Sequence, residues 1–178
     1  MNRTIGALLA LAAIAALVIP AVTLAAAGNG SDLASVRAAT ARFHTYSVAE
    51  AAGYGALHIC TDENSGLGAM GQHYVRGDLL GDLAFDLAQP EVLVYEPMPN
   101  GQQRLVAVEF VEFQEPWDAV HDDPPQLFGR ELQLVPSPNR YGVPAFYQIH
   151  VWLWKSNPAG LFNDWNERVS CHGMGDPQ

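Results

Sequence analysis

The stretch that decides the fold is "RLVAVEFVEF", residues 104–113, because it alternates in the manner of a β-strand. Successive side chains of a strand point to opposite sides, so odd-numbered and even-numbered residues would form two different faces. Both faces are mostly apolar, which favours a strand buried within a sheet. Glu109 lies in the middle of its face between Ala107 and Val111, where an unpaired charge would be costly. The pattern therefore predicts a buried partner for Glu109.

Further strands are expected on both sides of this stretch. They cover residues 57–60, 72–76, 92–96, 131–135 and 146–154. Asn100-Gly101 is a strong turn signal, so it predicts a hairpin between residues 92–96 and 104–113. Prolines crowd the segment 115–144, which we interpret as a long ordered loop that covers a site.

Three helices are predicted from periodicity and capping residues. The first begins at Ser31 or Asp32 and runs to Phe43. The second follows a capping box formed by Ser47 and Glu50 and closes at Gly53. The third covers residues 77–91, "GDLLGDLAFDLAQPE", in which leucines and aspartates form separate helical stripes.

These elements indicate an α+β fold, in which N-terminal helices precede a mainly antiparallel, curved sheet or open barrel. We expect a single domain over residues 28–178, because about 150 residues suffice for one hydrophobic core. No repeat suggests a second unit.

Residues 1–27 are predicted to be a signal peptide. Arg3 precedes an uncharged Ala/Leu-rich run that Pro20 ends, and small residues follow. We expect cleavage after Ala27, with Ala25 as the second choice. The alternative is an uncleaved membrane anchor, since the uncharged stretch is long enough to span a bilayer. In both cases the domain would lie outside the cytoplasm, either secreted or in the periplasm or cell envelope.

The charge balance excludes two classes of partner. The chain has 9 Lys and Arg against 19 Asp and Glu. Because Arg3 is the one charged residue of the predicted leader, 8 basic and 19 acidic residues remain, a formal charge of −11. Such a field repels nucleic acid and anionic lipid, so we expect no nucleic-acid partner and no membrane contact after signal cleavage.

The two cysteines, Cys60 and Cys171, are expected to form one disulfide. A chain sent to an oxidising compartment seldom keeps a free pair of thiols. Thiol ligation or redox chemistry, the alternative, would need the pair to be reduced.

Two further polar residues resemble Glu109 in their setting. His73 and His150 both lie in predicted strands among small or apolar neighbours of the same face. Two imidazoles and a carboxylate suit one divalent transition metal ion, Zn, Fe, Mn or Cu, with positions left open for water or a small molecule. The alternative is a metal-free Glu–His ion pair or a Glu–Tyr hydrogen bond.

Around these three ligands, Tyr74, Tyr95 and Trp152 are expected to form the walls of the site, with His58 and His121 as substitute ligands. Three classes of function remain open. The first is a metal-binding protein that also takes a small ligand, and the second is a metal-dependent hydrolase or oxygenase. The third is a metal-free envelope protein with a contact patch of Trp117, Phe128 and Trp165.

Four segments carry a resemblance to a group of uncharacterised secreted bacterial proteins. They read "GYGALHIC", "MGQHYV", "PEVLVYEPMPNGQQRLVAVEF" and "HVWLWKSNPAGLFNDWNERVSC". The group is similar in its G-H-Y-V, P-E-x-L-x-Y-E and L-V-x-V-E-[YF] segments and in a C-terminal H-V-W-x-W-x-x-N-P-x-G-x-F segment. The resemblance covers most of the chain after Ser47 and implies no activity. The three proposed ligands and both cysteines fall inside the shared segments.

Overall fold

The structure is a computed structural model that describes residues 22–57, 60–63 and 66–172. Apart from residues 22–27, the predicted signal peptide lies outside the described residues. The chain forms three α-helices and nine strands over the described ranges. No helix within those ranges is long and apolar enough to cross a membrane.

The helices differ in their bounds from the prediction. Helix α1 spans Val22–Thr40 and continues into a 3₁₀ turn at Ala41–His44, so the predicted start at Ser31 or Asp32 is wrong. Helix α2 spans Tyr46–Ala51 with Thr45 at its N-cap, two residues before the predicted cap Ser47. Gly53 does take the left-handed conformation that closes it, at φ +93°. Helix α3, Gln114–Asp118, follows the longest strand.

The strands form one mainly antiparallel sheet and one small hairpin. Their bounds are β1 Gly55–Ala56, β2 Thr61–Glu63, β3 Gly68–Val75, β4 Val92–Pro97, β5 Gln103–Phe113, β6 Gln126–Leu127, β7 Arg130–Glu131, β8 Gln133–Val135 and β9 Phe146–Val151. The main sheet has the order β1-β3-β4-β5-β9-β8, with β2 also paired to β3, and it is not closed. The α+β prediction is confirmed, including the hairpin of β4 and β5.

Alternation along β5 separates two hydrophobic clusters, one on each side of the sheet. One cluster includes Phe110 and packs against the N-terminal helices through Val36 and Phe43. The other includes Ala107 and Val111 and is covered by loops. We call these the helix face and the loop face, and Glu109 belongs to the loop face.

The predicted third helix, residues 77–91, is wrong. The segment forms successive turns, with left-handed backbone at Gly81 (φ +84°) and Leu83 (φ +62°). Its aspartates bond to their own backbone, since Asp82 accepts from the N–H of Ala84 at 2.9 Å and Asp86 from that of Ala88 at 2.8 Å. Short aspartate side chains compete with helical bonds in this way, and the leucine periodicity could not reveal it.

The disulfide between Cys60 and Cys171 is confirmed. It joins the chain just before β2 to the C-terminal segment, with the two Cα atoms 5.6 Å apart. The bridge therefore ties the last loop of the chain to the edge of β3, with which β2 pairs.

Candidate metal centre

Three different strands carry the proposed ligands. Glu109 of β5 lies directly opposite His150 of β9. His73 of β3 is separated from β5 by β4, where it pairs with Val94 while Glu109 pairs with Val92. Because β-branched valines project only a short way from the sheet, the longer side chains of His73 and Glu109 reach each other across them.

Gly71 allows β3 to approach β4 closely next to His73. Gly71 has φ +112°, and a Cβ there would lie 2.8 Å from the carbonyl oxygen of Tyr95. The register of β4 and β5 shifts between Val94 and Tyr95, which is the same point of the sheet. A larger residue would push β3 outward and carry His73 with it.

The side chains converge through single atoms. The Oε1 atom of Glu109 is 3.3 Å from Nε2 of His73 and 3.5 Å from Nε2 of His150. Among the described His, Cys, Asp and Glu residues, these three form a group whose ligand atoms all lie within 4.8 Å of one another. All three residues are buried, and His150 is completely inaccessible to solvent.

These converging atoms do not form hydrogen bonds with each other. Oε1 of Glu109 and Nε2 of both histidines are buried and have no hydrogen-bond partner in the described chain. Their separations exceed the usual length of an N–H···O bond, about 2.7–3.2 Å. Buried polar atoms are rarely left unsatisfied, so three such atoms around one point need an explanation.

A metal ion at that point fits the distances. Zinc lies about 2.0–2.1 Å from histidine nitrogen and about 2.0–2.2 Å from carboxylate oxygen, which places tetrahedral ligand atoms roughly 3.3–3.5 Å apart. The observed separations, 3.3 and 3.5 Å, fall in this range. A divalent ion would therefore fit between Glu109 and each histidine, and the three ligand atoms all lie within 4.8 Å of one another.

The pKa shifts of Glu109 and His150 favour the protonation states that bind a cation. Burial raises the pKa of Glu109, but the nearby His73 and His150 outweigh it and leave the pKa below its usual range. Burial lowers the pKa of His150 to about 4, against the opposing influence of Glu109. At neutral pH, Glu109 is thus ionised and His150 is neutral, and these are the forms that bind metals.

Aromatic side chains hold the two imidazoles in place. The ring of Trp152 lies 4.4 Å from that of His150, and its indole N–H donates to the carbonyl of Asn163 at 2.6 Å. The ring of Tyr141 meets that of His73 edge to face at 5.9 Å. Trp152 thus packs against His150, one of the proposed ligands.

Tyr74 and Tyr95 do not line the site, so this part of the prediction is wrong. Tyr74 follows His73 in the same strand and therefore points to the helix face. Tyr95 is also on that face, where its hydroxyl donates to the carbonyl of Phe43 at 2.7 Å. The two tyrosine rings contact each other at 5.2 Å within the helix-face cluster.

Sequence reasoning missed two residues near the site, Tyr141 and Asp164. Tyr141 comes from the long loop before β9, which does reach the site. Asp164 lies in the C-terminal loop, where burial and the charge of Glu109 raise its pKa to about 6 although His73 lowers it. Neither residue lies in a periodic segment, so no pattern could have placed it beside the ligands.

The next residues to locate are the predicted substitute ligands, His58 and His121, and the predicted contact patch. His58 lies outside the described residues. His121 is exposed and stacks on Trp117 at 3.9 Å, so it is not a ligand of this site. Phe128 is buried against Phe110 and Phe162, and the predicted contact patch is therefore wrong at this position.

Comparison with protein-family models, with curated proteins and with solved structures found no match to this chain. The resemblance to uncharacterised secreted bacterial proteins therefore stays a prediction.

Proposed function

We propose that this protein binds one divalent transition metal ion through His73, Glu109 and His150. The observation that carries the proposal is the convergence of three buried ligand atoms that have no hydrogen-bond partner among the described residues. Two imidazoles and one carboxylate suit Zn²⁺, Fe²⁺, Mn²⁺ or Cu²⁺ and leave coordination positions open.

The charge at the site supports the same proposal. Glu109 is a buried carboxylate with no Lys or Arg among the ion pairs found for it in the described chain. Burying a carboxylate without a Lys or Arg partner is costly. A dication would neutralise it and give the centre a net charge of +1. A ligand bound at the open coordination positions could offset that remaining charge.

We further propose that the protein acts outside the cytoplasm, as a secreted or periplasmic metal-binding protein. The disulfide between Cys60 and Cys171 supports this location, since such bonds persist in oxidising compartments. The strongly acidic composition is compatible with a metal ion as partner, because the overall field attracts cations.

Elemental mass spectrometry tests the proposal on protein purified without a polyhistidine tag or a chelator. We expect about one equivalent of a transition metal in the native protein and none in a His73→Ala/His150→Ala variant. The matched control is His44→Ala/His121→Ala, which removes two exposed histidines outside the site. It should keep its metal.

Circular dichroism of both double variants would establish that they remain folded. If His73→Ala/His150→Ala does not fold, the more conservative Glu109→Gln variant takes its place. A native protein that stays metal-free during titration with zinc, iron, manganese and copper would overturn the proposal. Glu109 would then be a structural partner of one histidine.

A further inference from the structure

A small cavity opens beside the candidate metal centre. It has a volume of about 60 Å³ and is lined by both His73 and Glu109, whereas His150 lies behind them and does not line it. Trp152 packs against the ring of His150 and also does not line the cavity. Because two of the three proposed ligands line the cavity, the open positions of an ion held by them would be reached from it.

The rest of the cavity wall is mostly apolar, with Gln148 and Tyr141 as its two polar residues. Its half-buried outer part consists of Leu57, Val75, Leu80, Phe113, Tyr141 and Val143. Deeper in, buried residues such as Val92 and Val111 continue the apolar wall down to the ligands. No Lys or Arg of the described chain lines the cavity, so an anion would find no charged partner other than the metal.

The size of the cavity limits what it can hold. A single water occupies roughly 10–15 Å³ on this measure, and a cavity that binds benzene measures about 150 Å³. A volume of about 60 Å³ therefore admits a molecule of a few non-hydrogen atoms.

The apolar wall selects for uncharged molecules. An ion would lose its hydration on entry and regain little from valine, leucine and phenylalanine side chains, whereas an uncharged diatomic molecule has almost no hydration to lose.

We propose that this cavity admits a small uncharged molecule of the size of dioxygen or nitric oxide to the open positions of the metal. The inference rests on the proposed metal site and identifies the class of ligand that this site takes. Substitution of a cavity residue should then block the ligand without affecting the metal.

Val143→Phe is the substitution that tests this. Val143 is half-buried at the mouth, lies in the loop before β9 and is not a proposed ligand. A phenyl ring there would occupy much of the cavity. The matched control is Val120→Phe, since Val120 is 61 % exposed and lies outside the cavity.

Three measurements on the full protein separate the two proposals. Elemental mass spectrometry first establishes whether each protein holds iron after anaerobic loading with Fe²⁺. Nitric oxide, the dioxygen-like probe, is then titrated in, and its complex with iron is followed by electron paramagnetic resonance. Xenon NMR of metal-depleted protein tests the cavity by itself.

We expect all three proteins to hold about one equivalent of iron. Native protein and Val120→Phe should bind nitric oxide and xenon, while Val143→Phe should bind nitric oxide about tenfold or more weakly, because its ring fills space that the ligand needs in the cavity. If Val143→Phe does not fold, the smaller change Val143→Leu replaces it, with a smaller expected loss.

Two results would overturn the inference while leaving the metal site intact. One is iron-loaded protein in which Val143→Phe binds nitric oxide as tightly as native protein does. The other is azide binding that Val143→Phe abolishes while nitric oxide binding persists, which would assign the cavity to anions. Native protein that takes up none of iron, zinc, manganese and copper would instead overturn the proposed function, and xenon binding would still report on the cavity.

Discussion

Glu109 and Glu112 belong to the same strand and are both buried, yet their surroundings differ completely. Glu112 points to the helix face and accepts hydrogen bonds from the backbone N–H groups of Leu83 and Phe113, both at 3.0 Å. Glu109 points to the loop face, where Oε1 faces two imidazole nitrogens and has no hydrogen bond in the described chain. One carboxylate secures a loop, and the other is free to bind an ion.

The protonation of the two groups follows from these partners. Burial raises the pKa of Glu112, and its backbone hydrogen bonds offset the effect only in part. Glu109 is equally buried, but the two histidines keep its pKa below the usual range. A buried carboxylate in a sheet therefore becomes a candidate ligand when imidazoles, and not backbone amides, surround it.

The largest expected effect is on the pH dependence of stability. It comes from Glu91, a buried carboxylate whose pKa no histidine lowers. It accepts from the N–H of Val111 at 3.0 Å, yet burial raises its pKa to about 8. The folded protein then binds the proton more tightly than the unfolded chain. The contribution of Glu91 to the free energy of unfolding is therefore fully present below pH 4.5 and is lost as the pH rises to about 8. The loss amounts to up to roughly 5 kcal/mol.

Urea unfolding of native protein and Glu91→Gln between pH 4 and 9 measures this difference. The native protein should lose stability relative to the variant as the pH rises, since glutamine does not titrate. A constant difference between the two proteins across this range would contradict the account of Glu91.

The next effect separates Glu109 from Glu112 directly. Changing a residue that only supports a metal ligand costs about 10- to 100-fold in affinity, so Glu109→Gln should weaken metal binding about 100-fold or more. Glu112→Gln should leave the affinity unchanged but lower the free energy of unfolding by about 1–3 kcal/mol, because one backbone N–H loses its acceptor. Competition with a fluorescent chelator and urea unfolding provide the two values. Equal metal affinities in the two variants would contradict the claim that Glu109 binds the metal and Glu112 does not.

The smallest effect concerns Tyr95 on the helix face. Tyr95→Phe removes the hydrogen bond to the carbonyl of Phe43, which should lower the free energy of unfolding by about 1–2 kcal/mol. The metal affinity should not change, since Tyr95 does not reach the loop face. A marked loss of metal affinity with unchanged stability would show that Tyr95 acts on the site after all.

Alternation within a strand made the central part of the site predictable. It places Glu109 and His150 on single faces of β5 and β9, and the pairing of these strands then brings the two residues opposite each other. The same rule should have excluded Tyr74, which is adjacent to His73. It could not place Tyr141, because the position of a loop residue depends on tertiary packing and not on local period.

Segment 77–91 shows the opposite case, in which a clear pattern was misleading. Its leucines recur as in a helix, but Asp82 and Asp86 satisfy nearby backbone N–H groups and Glu112 accepts from Leu83. These bonds stabilise turns in place of helical ones. Periodicity reports which residues are buried, whereas side-chain bonds to the backbone decide the local conformation.

Anomalous diffraction from crystals of tag-free protein, recorded at the absorption edge of the metal found, tests the metal site most directly. We predict one peak between Nε2 of His73, Nε2 of His150 and Oε1 of Glu109, about 2.0–2.2 Å from each atom. A site without a peak, in which Oε1 of Glu109 accepts a hydrogen bond of about 2.7–3.2 Å from either histidine, would contradict the account.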